Sequence, residues 1–508
     1  MNISIKSALI SVYDKTGLDS IVESLHQLGV VIYSTGGTLD YIKGLNIPVE
    51  SVESLTSYPS ILGGRVKTLH PKVFGGILAM RNQDHLEQLA AYDIPTIDLV
   101  IVDLYPFEDT VAHSSDHDEI IEKIDIGGIS LIRAAAKNYK DVVVVASKAE
   151  YSTLLDLLKI EQGFTTLAQR KAFAQHSFKV SSSYDNAIHS YFDTDTKPIV
   201  ASISLDKKQV LRYGENPHQS ATYHYNDDNL IYEQLAGKEL SFNNLVDIHA
   251  AISLMKEFRD DKVTFAILKH TNACGVAQRP TVVESWRAAL SSDPISAFGG
   301  ILICNDEIDE EVALLINELF YEVLIAPSFS DKAFHILTAK SKRVLLKLNN
   351  YDLPITEYKS LLNGVIIQDA DNSNIDNENF EVRTALSPSE SEVKDLRFAL
   401  KCAKHLKSNT IVLVKDAHMV SMGCGQTSRL DACKQAIEKA KSFDLSILGA
   451  VMASDAFFPF PDCVELVYNE GVRAVVQPGG SIKDQLSIDY CNAHGMSMVF
   501  TGIRHFKH

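Results

Sequence analysis

Val142–Val145 is four valines in a row, and Ile97–Val102 is apolar but for Asp98. A strand with one wet face alternates apolar and polar residues. These runs do not, so both of their faces must be covered. That is the condition of a strand in a parallel sheet held between two layers of helices. Ser7–Val12 and Val30–Tyr33 are shorter runs of the same kind. Between them Leu18, Ile21, Val22, Leu25 and Leu28 recur at helical spacing, and Gly29 ends the series. The first 195 residues therefore predict an α/β fold, a doubly wound parallel sheet.

A chain of 508 residues is too long for one ordinary core, so two or more domains are expected. Asp193–Pro198 collects turn formers and charge, which puts the boundary between domains 1–197 and 198–508. The second part also reads as α/β, but less regularly. A helix and then a strand are expected within Asp247–Leu268, and again at Glu392–Leu406 and Thr410–Val414. This hints at a duplicated unit. Asp371–Glu381, rich in Asn and Asp, is expected to be an exposed connection.

Charge and cysteine usage exclude several classes. A net charge of −17 repels nucleic acid and anionic lipid, so neither is an expected partner. No apolar run approaches the roughly 20 residues that span a bilayer, and Met1–Lys15 lacks the long apolar stretch of a signal peptide. The seven cysteines begin only at Cys274 and include no CxxC pair, which suits neither a disulfide frame nor a zinc cluster. A cytoplasmic location is expected.

Three glycine-bearing clusters mark the first part. Ser34-Thr-Gly-Gly-Thr38 follows a strand and precedes a helical pattern. Backbone N–H groups at such a helix start suit a phosphate, although a glycine pair there also makes a plain tight turn. In Gly63-Gly-Arg-Val-Lys-Thr-Leu-His-Pro71, an extended chain would point Arg65 and Lys67 to one face, either toward an anion or as a solvated basic strand. Asp125-Ile-Gly-Gly128 opens an alanine-rich helix on which Arg133 and Lys137 share a face. That helix is either an anion-ready terminus or one packed through its alanines. Tyr105-Pro106 falls just past the 97–102 run, the strand end where open α/β sheets carry ligands.

SxxDKTGL, STGGT, GGRVKTLHP, LYPF and DIGGxxxxRAAAKN, in this order, resemble inosine monophosphate (IMP) cyclohydrolase, a family of methylglyoxal-synthase-like fold. The resemblance implies that Ser11, Lys15, Thr35, Gly36, Gly37, Thr38, Arg65, Lys67 and Thr68 surround a nucleotide. It implies ring-closing roles for Tyr105, Asp125, Gly127, Gly128 and Lys137. Two positions depart from the family pattern. Asp103 stands where relatives usually carry Asn, and Phe74 where many bacterial relatives carry His.

In the second part, Leu268-Lys-His-Thr-Asn-Ala-Cys-Gly275 sets Lys269 beside His270 at the end of an apolar run. It is accompanied by LRYGENPHQ (211–219), LSFNN (240–244), SDPISAFGG (292–300), GCGQTSR (423–429), ASDAFFPFPD (453–462) and the terminal RHFKH. This set resembles AICAR (aminoimidazole carboxamide ribotide) transformylase, built from duplicated cytidine-deaminase-like units. The resemblance implies His270 as base, Lys269 at the oxyanion or leaving nitrogen, and Asn409 on the formyl oxygen. Arg212, Tyr213 and Asn244 would contact the ribotide, with Arg504 near its phosphate, and Phe298, Gly299 and Phe506 would also bind substrate. Ser428, Arg429, Phe457 and Asp462 would face the folate, although Phe457 and Phe458 also suit a core and Asp462 a turn.

Joined, the halves resemble the bifunctional enzymes that formylate AICAR with 10-formyltetrahydrofolate and close the product, FAICAR, to IMP. That implies a homodimer whose transformylase site lies between subunits, and no zinc; it leaves monovalent-cation binding open. The deaminase signature HxE with PCxxC is absent, which disfavours a zinc deaminase. A nucleotide-sensing module needs no ring-closing lysine, and a non-enzymatic scaffold predicts no folate binding.

Overall fold

The computed structural model describes residues 2–193, 207–226 and 230–508. The chain forms two compact units, residues 1–204 and 205–508. The boundary expected at residue 197 lies outside the described residues.

Five parallel strands organise the first unit: β1 (Ser7–Ser11), β2 (Val31–Ser34), β3 (Glu50–Ser51), β4 (Leu99–Val102) and β5 (Val143–Val145). Their order is β3-β2-β1-β4-β5. Both faces are dry. Ala8, Ile10, Leu99, Ile101, Val143 and Val145 enter one core, while Leu9, Val100, Val102, Val142 and Val144 enter the other. Each fully buried Val, Leu or Ile among them contributes about 1.5–3 kcal/mol. Chain order reverses between β1 and β4, so the loops after those strands diverge and leave a crevice at their carboxyl ends.

The helices that matter to the crevice are α1 (Gly36–Gly44), α2 (Gly127–Lys137) and the long α3 (Leu167–Phe192). Gly63 and Gly64 correct one expectation. Both take positive φ (65° and 95°) in a 3-10 turn over Leu62–Gly64, so the stretch carrying Arg65 and Lys67 is bent rather than extended. Phe74 packs against the second core, where a histidine would have lost apolar contact.

The second unit is built on one twelve-stranded sheet. Its strands are β6 (Tyr232–Ala236), β7 (Thr264–Lys269), β8 (Asn272–Gln278), β9 (Gly300–Cys304), β10 (Tyr321–Ala326), β11 (Val344–Leu348), β12 (Glu381–Val382), β13 (Ile411–Lys415), β14 (His418–Gly423), β15 (Val451–Ser454), β16 (Ala474–Gln477) and β17 (Ser497–Phe500). The order is β6-β11-β10-β9-β7-β8-β14-β13-β15-β16-β17-β12.

The hinted duplication is visible in this order. Helix α4 (Phe242–Lys256), hairpin β7-β8, helix α5 (Val282–Ser292) and β9 are repeated as α6 (Glu390–Lys404), β13-β14, α7 (Arg429–Ser442) and β15. In each copy the first hairpin strand pairs antiparallel with the strand after the helix, and two parallel strands follow. The copies meet where β8 pairs antiparallel with β14. Both hairpins turn through two residues of positive φ, His270-Thr271 and Asp416-Ala417, the turn that matches strand twist. Helices α4 and α6 share one core on one face of the sheet.

Asp371–Glu381 differs from expectation. Its composition is polar, yet Ile375 and Glu378 are buried, because Ile375 joins the core under α4 and α6 and Glu378 meets the C-terminal tail. Among the described residues, no helix is long and apolar enough to cross a membrane.

Candidate active sites

The crevice of the first unit is a cavity of about 770 Å³. Ser11 reaches it from the end of β1, Lys15 from the loop that follows, Thr35, Gly37 and Thr38 from the start of α1, and Tyr105 from the loop after β4. Arg65, Lys67 and Thr68 line it from the glycine turn, and Asp125, Gly127 and Gly128 from the start of α2. Gly36 adjoins it: a Cβ there would stand 3.3 Å from Lys67 Nζ, and one on Gly37 3.8 Å from Lys15 Nζ. Two ammonium groups therefore hang over the backbone that starts α1. Helix dipole and cations add there in the same sense toward an anion.

Hydrogen bonds fix this frame. Thr38 Oγ1 accepts from Val12 N–H (3.0 Å) and donates to Val12 O (2.8 Å), joining α1 to the β1 loop. Gly128 N–H donates to Asp125 Oδ1 at 2.6 Å, and a Cβ on Gly128 would collide with that carboxylate. Tyr184, on α3, receives Asp125 N–H (2.9 Å) and donates to Lys123 O (2.7 Å). Burial raises the Asp125 carboxyl above the usual carboxylate range, with Gly128 N–H and Lys67 acting against it. Burial also raises the Tyr105 phenol, as does the Asp125 charge. Arg65 is exposed and ion-paired with Glu122.

Lys137 is the expected residue that the structure does not bring to the cavity. It ends α2, exposed, ten residues or about 15 Å beyond Gly127. The face it shares with Arg133 turns toward α3, where Arg133 Nη1 donates to Ser181 Oγ at 3.0 Å.

Asp103 lines the cavity, and its carboxylate accepts the backbone N–H groups of Tyr13 and Asp14, the latter at 3.0 Å. It thus holds the β1 loop rather than offering a free charge. Burial raises its pKa against those two donors. Asp103 stood out in the sequence only as a departure from the family pattern, and Tyr13 and Glu122 did not stand out at all. Each acts through a contact distant in sequence that no local motif encodes.

In the second unit, contacts linked in series gather around the β7-β8 turn. Lys269 Nζ donates to Phe298 O at 2.5 Å and faces Gly299. Thr271 N–H donates to Asp247 Oδ1 (2.7 Å) on α4, so that carboxylate lies beside His270. Asn244, three residues earlier on α4, closes a capping box with Ser241 and reaches Glu322 at 3.4 Å. Asn243 Nδ2 donates to Glu215 O (3.2 Å), which brings the loop bearing Arg212 and Tyr213 to the same helix start. Arg212 lies 5.5 Å from the Tyr213 ring centre.

Asn272 Oδ1 accepts Lys407 N–H at 3.1 Å and links this group to the second copy. There Asn409 Nδ2 donates to Gln426 O (2.9 Å) and Thr427 O (3.3 Å), and its Oδ1 accepts from Arg429 at 2.8 Å. Arg429 also binds Asp455 (3.1 Å) and Phe457 O (3.0 Å). Ser428 caps α7 through Asp431. Asp462 begins the helix Asp462–Asn469 and receives Cys463 N–H at 2.8 Å. Phe458 is core, while Phe457 is only half-buried.

The terminal residues are held against this region. His505 N–H donates to Asp455 O (3.0 Å), and Ser408 and Lys507 exchange bonds at 2.9 and 3.0 Å. Arg504 lies 4.4 Å from the Phe506 ring centre, and both are exposed. Asp247 and Asp455 were missed in the sequence. Asp455 sits inside the quoted ASDAFFPFPD segment, where a carboxylate directly after an apolar strand was the available signal.

Two family models match the chain. A family described as the AICARFT/IMPCHase bienzyme matches residues 135–439, and an MGS-like domain matches residues 17–130. The bifunctional purine biosynthesis protein PurH of Bacteroides thetaiotaomicron is 55% identical over 99% of this chain and 99% of its own. The chain belongs to the AICARFT/IMPCHase bienzyme family. The PurH proteins of Chlorobium phaeobacteroides and Chlorobium chlorochromatii are 46% and 45% identical, each over 99% of both chains. As a member of the bienzyme family it carries AICAR formyltransferase and IMP cyclohydrolase activities, the last two steps of IMP biosynthesis.

Proposed function

We propose that the two activities occupy separate sites, cyclisation in the 1–197 domain and formyl transfer in the 198–508 domain. The observation that carries the first assignment is the convergence of Lys15, Lys67 and the α1 start on one cavity. The formylated ribotide sets its phosphate there, with Ser11, Thr35, Thr38 and Thr68 as hydroxyl donors. Arg65 joins by leaving Glu122. The base then lies toward Tyr105, Asp125, Gly127 and Gly128. Closure needs the carboxamide nitrogen to attack the formyl carbon, followed by loss of water. Both groups belong to one molecule, so holding them together supplies most of the rate. Lys67 stabilises the developing alkoxide, and Asp125 and Tyr105 orient the amide and relay its proton.

In the second domain the formyl donor is 10-formyltetrahydrofolate. The ribotide amine is a weak nucleophile, because its lone pair delocalises into the ring and carboxamide. His270 removes its proton as it attacks, imidazole being the side chain suited to that task near neutral pH. Lys269 exchanges its bond to Phe298 O for the tetrahedral oxyanion. Asn409 releases its longer bond, to Thr427 O, to hold the formyl oxygen. Arg212, Tyr213, Asn244, Arg504 and Phe506 bind the ribotide, and Phe457 with Asp462 meets the pterin. Ser428 and Arg429 act by holding α7 and Asn409 in place.

The hairpin Thr356–Leu361 and Gly364–Asp369 supports a homodimer. Among the described residues it pairs with no other strand, and it exposes Ile355, Tyr358, Leu362, Val365 and Ile366. An isolated two-stranded hairpin with such a surface calls for a covering partner. A cytoplasmic location suits a biosynthetic enzyme of this kind.

Ribotide and formyl donor mixed with the purified chain test this reading. His270→Ala lowers formyl transfer about 10²–10⁴-fold and spares cyclisation of supplied formylated ribotide. Formyl transfer that survives His270→Ala contradicts the assignment.

A further inference from the structure

The tail holds one buried histidine that neither reaction uses. His505 is 2% exposed between two exposed neighbours, Arg504 and Phe506. Its Nδ1 lies 2.7 Å from Asp371 Oδ2 and its Nε2 3.3 Å from Glu378 Oε1. Both ring nitrogens face carboxylates, and only the imidazolium donates from both. The Glu378 side chain is buried, and among the described residues neither its carboxylate nor His505 Nε2 has a hydrogen-bond partner, so the ion pair between them makes His505 its counter-ion. Asp371 also has Lys404 Nζ 3.8 Å away, and Lys404 is itself bound to Glu257 at 2.8 Å. The His505 backbone N–H donates to the carbonyl of Asp455.

We propose that His505 is a positioning residue for formyl transfer, clamped by Asp371 and Glu378 so that Arg504 and Phe506 are presented together to the ribotide. The inference rests on the reading that those two neighbours contact substrate. Chain geometry favours it: in this stretch residue 505 points inward while 504 and 506 point outward, with the guanidinium over the ring. Burial alone would lower the histidine pKa, but the two carboxylates outweigh burial and raise it to about 9. The clamp is therefore complete below the ordinary histidine value of 6.5 and is released as pH rises through about 9.

The test uses the full-length protein and reads formyl-transfer kinetics beside hydrogen exchange of residues 501–508. His505→Leu speeds exchange of the tail and raises KM for the ribotide about tenfold with little change in kcat, while cyclisation is unaffected. Because that variant strands a buried carboxylate, a second pairs His505→Gln with Glu378→Gln. It restores KM at pH 7 and lacks the rise in KM that the unmodified protein shows between pH 8 and 10. Tail exchange unchanged in His505→Leu overturns the clamp. So does an unchanged KM in His505→Leu when Arg504→Ala does raise KM. An unchanged KM in Arg504→Ala instead removes the tail from the substrate site, and the positioning role with it.

Discussion

The two sites are assembled differently. In the first unit the loops after β1, β2 and β4 and the starts of α1 and α2 open into one cavity, because chain order reverses there. Its lysines face glycine backbone and are poised for an anion. In the second unit the sheet is two half-sheets joined antiparallel where β8 meets β14, and its strands there are linked by hairpins rather than by crossover helices. The functional groups are organised instead by one another: Asn409 by Arg429, Arg429 by Asp455, Asp455 by the tail. Topology makes one site, and a network of side chains makes the other. The second should therefore be far more sensitive to remote changes.

Removing residues 504–508 is the strongest way to break this contrast. Formyl transfer is expected to fall below detection and cyclisation to remain, measured on ribotide and on formylated ribotide separately. Loss of both would mean that the tail supports the whole chain. Next in size is Gly128→Ala, whose Cβ displaces the Asp125 carboxylate. A misplacement of about 1 Å costs roughly 10²-fold, here in cyclisation alone. Asp103→Asn is subtler. Its charge helps to hold the Asp125 pKa up, so removing it lowers that pKa and moves the acid limb of the cyclisation profile to lower pH. An upward shift would contradict the geometry. Smallest is Glu122→Gln, which frees the exposed Arg65. Such a pair is worth about 0–1 kcal/mol, so KM for the formylated ribotide falls by no more than about fivefold.

Much of the first unit was readable from its residues. Unbroken valine runs mean two dry faces, and glycines before helical patterns mean exposed N–H groups at strand ends. The failures share a cause. Helical spacing correctly put Lys137 on one face with Arg133, but α3 decides where that face turns, and α3 begins thirty residues later. Alternation of Arg65 and Lys67 assumed an extended chain, which the positive φ of Gly63 and Gly64 replaces with a turn. Asp371–Glu381 has the composition of a loop, yet His505 lies 134 residues from Asp371 along the chain. The Lys269-His270 pair was legible because one hairpin turn fixes both residues. Its supports, Asp247 on α4 and Asn272 reaching Lys407, come from remote contacts that no spacing rule exposes.

Complementation tests the claim of two independent sites most directly. Lys67→Ala supplies formyl transfer without efficient closure, and His270→Ala supplies closure without formyl transfer. Each variant alone, given ribotide and formyl donor, should form IMP far more slowly than the unmodified protein. A mixture of the two should restore rapid IMP formation, because the formylated ribotide passes from one to the other through solution. A mixture no faster than its better component would contradict the separation of the two sites.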